Sequence, residues 1–237
     1  FAVPLALIGA LGHGELARMR KLVPAAALPG MLGVAAAPLA AELTGDRAGP
    51  AIAVAAALGL APAAAAALSP APARRTAAAT TALGVAWLGL TLGHAVLLRD
   101  LPHGIGLVID VLLATFLGDT AAQLAGSAWG RRKLAPSISP NKTVEGLAAG
   151  ILVGTAAVVV AALAFEDAWL SAVDALALGL ACALAAPAGD LFESRLKRRA
   201  GVKDSGGLFG AHGGVLDRAD AVIAAALAGY YVAIAVT

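Results

Sequence analysis

The sequence predicts an all-α fold, a polytopic integral membrane helical bundle of about eight spans, and three observations carry this. Of 237 residues, 60% are hydrophobic and only 14% charged. A soluble domain carries about 25% charged residues, so this chain has too few to cover a water-facing surface. The apolar excess (mean hydropathy +0.85) lies in small residues, with 64 Ala and 28 Gly against 4% aromatics; small side chains let helix backbones approach in lipid. Apolar runs close to the ~20 residues that cross a bilayer recur along the chain. This composition excludes disorder and argues against a soluble enzyme.

The first run, 1–12, is short for a span and stops at His13 and Glu15. It reads as a partial first helix or a truncated start, and not as a signal peptide, because no basic segment precedes it. Runs at 25–42, 50–69 and 77–98 follow, and 53–67 is low in complexity and dominated by Ala, a strong helix former. Runs at 104–126, 144–165, 171–189 and 219–236 complete the set. Neither a fixed-period repeat nor inverted-repeat halves are evident. Cys182, the only cysteine, lies in an apolar run, so there is no disulfide framework. The division expected is 1–103, N-terminal transmembrane helices, and 104–237, a catalytic transmembrane region with two polar segments.

The charges orient the bundle. Fifteen of the seventeen Lys and Arg fall in alternate connections, and only Arg47 and Arg99 fall in the others. The positive-inside rule makes the fifteen cytoplasmic, with both termini outside. Two cytoplasmic connections, roughly 127–143 and 190–218, are long and polar, and function is sought there.

The stretch from Asp190 to Asp220 follows one apolar helix and runs into the last. Asp217 and Asp220, three apart, share a helix face. If the seventh span continues past Asp190, Ser194 and Lys197 lie on its stripe at i+4 and i+7. Three carboxylates beside cations suit Mg²⁺, a hard ion that takes one or two protein carboxylates plus substrate phosphate. Lys and Arg would neutralise phosphates, and five glycines between 206 and 214 allow close backbone approach. Taken singly, a juxtamembrane cation sets topology or meets a lipid headgroup, and an Asp at a helix start is a cap. Topology alone needs neither three acids nor five glycines.

Ser194-x-Leu196-Lys197-Arg198, Lys203-Asp204-x-Gly206 and Phe209-Gly210-x-His212-Gly213-Gly214-Val215-x-Asp217-Arg218-x-Asp220 together resemble the signature of the phosphatidate cytidylyltransferases, the CDP-diacylglycerol synthases. Ala219 departs from the family's larger apolar residue. A second block, Gly118-Asp119-Thr120, Lys133-Leu134-Ala135-Pro136 and Ser139-Pro140-x-Lys142-Thr143-x-Glu145-Gly146, is similar to the one preceding that signature, with Gln123 where an aromatic residue is expected. The two blocks span about half of the chain.

The resemblance implies CTP plus phosphatidate giving CDP-diacylglycerol and pyrophosphate at the cytoplasmic face of the inner (plasma) membrane, among membrane lipids, with no nucleic acid. It implies Asp190 and Asp217 as the acids for Mg²⁺, a second, monovalent cation being left open. Asp220 stands close by, with Lys197 and Lys203 beside them in the catalytic set. Substrate binding is expected at Ser194, Arg198, Asp204, His212, Arg218, Asp119, Ser139 and Lys142. His212 either touches the triphosphate or bonds structurally. No GxxxxGK[ST] loop is present, which disfavours a P-loop NTPase. Small-residue helix faces permit a homodimer. Asp110 and Asp174 have no role in this scheme, and His13, His94 and His103 carry no ligand spacing. Trp129 and Trp169 read as interface anchors and Trp87 as mid-span packing. The competing functions are a CTP-dependent enzyme acting on another lipid phosphate or a polyprenol, and an ion-coupled transporter.

Overall fold

Every apolar run becomes a helix, in a computed structural model that describes residues 1–164, 170–210 and 213–236. Seven helices among the described residues are long and apolar enough to cross a membrane. The chain is therefore a multi-pass helical membrane protein. It forms two compact units, Phe1–Asp100 with Arg199–Ala219 and Leu101–Arg198 with Asp220–Thr237.

In the first unit, α1 (Ala2–Met19) runs past the expected stop at His13 and Glu15. Both polar side chains are buried inside the unit and not turned to water, so they do not end the helix. Next come α2 (Pro24–Thr44) and α3 (Ala48–Ala67). Asp46 accepts the Gly49 N–H at 2.9 Å where α3 starts, satisfying an orphan donor. The rod Ala71–Asp100 joins α4 (Arg74–Gly84) to α5 (Leu90–Asp100) through a π-helical turn, Val85–Gly89. Trp87 lies in that turn, and the Thr91 hydroxyl donates to its carbonyl at 2.8 Å. Residues 199–219 belong to this unit.

In the second unit, α6 (Gly104–Trp129) and α7 (Val144–Ala164) meet along glycines spaced by four. A Cβ on Gly146, Gly150 or Gly154 would lie 2.6, 2.8 or 2.5 Å from the carbonyl oxygens of Ala122, Gly118 and Ala114. The two backbones are thus in direct contact, the small-residue packing that lipid favours. Between them lies a feature absent from the all-α expectation, a hairpin of β1 (Lys133–Ala135) and β2 (Ser139–Thr143), antiparallel with Lys133 opposite Thr143. The Glu145 carboxylate fastens its start by accepting the N–H groups of Arg131 (3.1 Å) and Arg132 (3.2 Å). Thr143 Oγ1 accepts the Gly146 N–H at 3.1 Å and caps α7.

The helix α8 (Ala172–Ala200) continues ten residues beyond Asp190, so much of the expected 190–218 connection is helical. Ser171 caps its start: the hydroxyl accepts the Asp174 N–H (3.2 Å) and donates to the Asp174 carboxylate (2.6 Å). That accounts for Asp174. The last helix is α9 (Leu216–Val236). A Cβ on Gly189 would lie 2.5 Å from the Asp220 carbonyl oxygen, so α8 and α9 touch beside Asp190. Trp169, Glu166 and Asp167 lie outside the described residues.

Candidate active site

The α6–α7 contact splays toward the hairpin into a cavity of 810 Å³ in the second unit. Asp119, Ser139, Lys142 and Asp190, four of the residues expected to serve the site, line it together. Lys133 and Asn141 also line it. The sequence by itself gives those two no role: Lys133 belongs to a motif and Asn141 occupies one of its variable positions. Gln123 stands in the wall too, supplying an amide where an aromatic ring was expected.

The elements explain the convergence. Asp119 follows Gly118, where α6 touches α7, and Lys142 is the penultimate residue of β2, just before α7 begins. Pro187 lies one turn before Asp190 in α8 and also lines the cavity. A proline has no N–H to donate back to the carbonyl four residues earlier.

Charge is arranged tightly here. Lys142 Nζ pairs with Asp190 Oδ2, and both side chains are part-buried. The Ser194 hydroxyl donates to Asp190 Oδ1 at 3.2 Å. Asp119 lies within electrostatic reach of Asp190 and Lys142. Asp220 is within reach of Asp190, Lys197 and Lys142. Three acids and two lysines therefore form one constellation. Lys197 also pairs with Glu193 at 2.6 Å, and Glu193 is fully buried. Glu193 carried no role in the sequence reading, because an isolated Glu in a charged stretch looks like solvated surface. Arg198 donates from Nε to the Ile138 carbonyl at 3.1 Å, tying α8 to the hairpin turn.

The remaining signature residues lie in the first unit. Lys203, Asp204 and Arg218 are exposed, and His212 lies outside the described residues. Asp217 staples its own segment: Oδ2 accepts Ser205 N–H (2.9 Å), Ser205 Oγ–H (2.8 Å) and Gly214 N–H (2.8 Å). Gly213 adopts φ +81 beside this carboxylate, a conformation that favours glycine. The sequence reading also missed Glu15, which is 1% exposed. It accepts Val215 N–H and Leu216 N–H, each at 2.9 Å. A lone acid inside an apolar helix is costly unless satisfied. That signal was present in the sequence, but its partners lie about two hundred positions away.

The donor set fits Mg²⁺. Among the described residues no three His, Cys, Asp or Glu side chains stand close enough to hold a metal by themselves. Mg²⁺ commonly takes only one or two carboxylates and completes its shell with water and phosphate. The oxygen-only groups at Asp190, with ammonium groups beside them, suit such a shared site.

The chain matches the Cytidylyltransferase family over residues 1–236. It is 39% identical over 155 residues to a phosphatidate cytidylyltransferase of Mycobacterium leprae, covering 65% of this chain and 48% of that protein. It is 38% identical over 143 residues to one of Staphylococcus aureus, covering 60% and 54%. A third, from Mycobacterium bovis, is 33% identical over 157 residues, covering 65% and 50%. The chain thus spans about half the length of the curated relatives it matches. With a match that runs almost from end to end, on a multi-pass helical bundle, the chain belongs to the cytidylyltransferase family.

Proposed function

We propose that the protein transfers CMP from CTP to phosphatidate, giving CDP-diacylglycerol and pyrophosphate, at the cytoplasmic face of the inner membrane. The observation that carries this reading is the cavity that gathers Asp119, Ser139, Lys142 and Asp190. Its size suits a nucleotide, since small-molecule sites run from about 300 to 1,000 Å³. The curated relatives' name supplies the acceptor, and the cation bias of the connections supplies the orientation.

In this scheme a phosphatidate oxygen attacks the α-phosphorus of CTP, the bond to the β-phosphate oxygen breaks, and pyrophosphate leaves. Phosphatidate is already an anion, so no strong general base is required. Positioning and charge neutralisation carry the catalysis. Lys142 and Lys133, which line the cavity, would meet phosphate oxygens. Ser139 and Asn141 offer hydrogen bonds to the nucleotide. Lys197, Lys203, Arg198 and Arg218 are proposed as further phosphate partners, with Ser194, Asp204 and Asp220 beside them. Mg²⁺, when bound, neutralises charge on the reacting phosphates; Asp190 and Asp217 are the acids the signature assigns to it.

The test is turnover by purified protein of CTP and phosphatidate with Mg²⁺, reading CDP-diacylglycerol. Product is expected, and Asp190→Asn is expected to lower kcat by at least about a hundredfold. No product with any diacyl phosphatidate would remove the proposal. Near-normal turnover by Asp190→Asn would remove that residue from the site.

A further inference from the structure

We infer that Glu15 is a positioning residue for Asp217, holding the glycine-rich stretches 203–210 and 213–217 of the first unit in the pose that presents its carboxylate. The kinetic half of the inference rests on the cytidylyl-transfer reading; the structural half does not. Glu15 lies on α1, far in sequence from the polar signature, and is 1% exposed. It bonds to Ser205, Val215 and Leu216, all of the signature segment. Oε1 accepts the Val215 N–H and Oε2 the Leu216 N–H, each at 2.9 Å. The Ser205 hydroxyl stands 2.9 Å from Glu15 Oε2 and 2.8 Å from Asp217 Oδ2, so it bridges the two carboxylates.

The chemistry explains why an acid is placed there. The first N–H groups of α9 have no partner inside their helix, and a negative charge at a helix N-terminus is favourable. A buried carboxylate costs heavily unless hydrogen-bonded, and these donors meet that cost. The segment is also built around Glu15. A Cβ at either Gly206 or Gly214 would collide with its carboxylate, so two of the signature's glycines are the space Glu15 occupies. Removing Glu15 would therefore loosen the start of α9 and, through Ser205, the staple at Asp217.

The experiment uses the full chain in detergent with Glu15→Gln, which keeps the shape but sets an NH₂ donor against donors. Backbone hydrogen exchange is expected to rise at least about tenfold across 203–217 while α2 to α5 stay within about twofold. The kcat for CDP-diacylglycerol formation is expected to fall at least about tenfold with KM for CTP changed by less than about threefold. Ser205→Ala is a second variant, gentler on folding. It should give the same pattern more weakly, and combined with Glu15→Gln its effect should be clearly less than additive. Unchanged exchange at 203–217 in Glu15→Gln overturns the inference. So does loosening spread evenly through α1 to α5, or a loosened segment with intact kcat. If the parent protein makes no product, the functional reading fails, and the exchange pattern alone decides whether Glu15 holds the segment.

Discussion

Two polar residues on α1, two positions apart, reach burial by opposite routes. Glu15 is surrounded by donors, whereas neither ring nitrogen of His13 has a hydrogen-bond partner among the described residues. His13 is fully buried, and a Cβ placed on Gly30 or Gly84 would run into its imidazole. The ring thus fills a slot that two glycines leave open, and His13 acts as a packing residue. Gly84→Ala is expected to destabilise the protein by about 1–3 kcal/mol through overpacking, seen as a lower unfolding midpoint in detergent. His13→Ala added to it should recover part of that loss; a further loss of the same size as in the parent would show that the two positions do not share the slot. Nothing in the sequence paired His13 with these glycines, because histidine on an apolar face has no local signature of its neighbour.

Among the elements, α6 and α7 depend most on residue size. Gly118, Gly146, Gly150 and Gly154 place the two backbones within side-chain reach of each other, and that contact sets where Asp119 and Lys142 meet. At Gly150 a Cβ would lie 2.8 Å from the Gly118 carbonyl and 3.0 Å from the Ala122 Cβ; backbone cannot yield as a flexible side chain can. Gly150→Leu should therefore destabilise the protein by at least about 2 kcal/mol and lower the proposed CTP turnover with it. Gly59 in α3 is the matched control, since nothing lies within 4 Å of a Cβ there. Gly59→Ala should stabilise by about 0.5–1 kcal/mol through helix propensity. Equal thermal shifts in the two variants would contradict the packing argument. The apolar runs themselves were legible, because lipid demands length and hydrophobicity of each helix separately. Less legible were helix ends in polar sequence. The helix α8 passes Asp190 and reaches Ala200, and α1 passes Glu15, since a helix continues through charge when tertiary partners satisfy it. The hairpin at Lys133–Thr143 was hidden because its strands, three and five residues long, are too short to show an alternating apolar face.

For the whole molecule, the fifteen clustered cations predict one orientation. Single cysteines introduced at Arg131 or Arg199 in a chain carrying Cys182→Ala should label only from the cytoplasmic side, and one at Arg47 only from outside. Labelling of both sets from one side would reject the topology. Membership of a membrane bundle, the clustering of cations in alternate connections and the two polar stretches that hold the signature were determined by the sequence alone. Each depends on composition and order along the chain: spans must be apolar over ~20 residues, and cations resist translocation. Only the tertiary structure decided which polar groups meet. It paired Lys142 with Asp190, 48 residues on, gathered Asp119 and Ser139 into their cavity, and set Glu15 against Ser205, Val215 and Leu216, 190 to 201 residues away. The physical reason is that a buried charge takes whichever donors the packed helices bring within hydrogen-bonding distance, and in an Ala- and Gly-rich bundle many packings read alike along the chain.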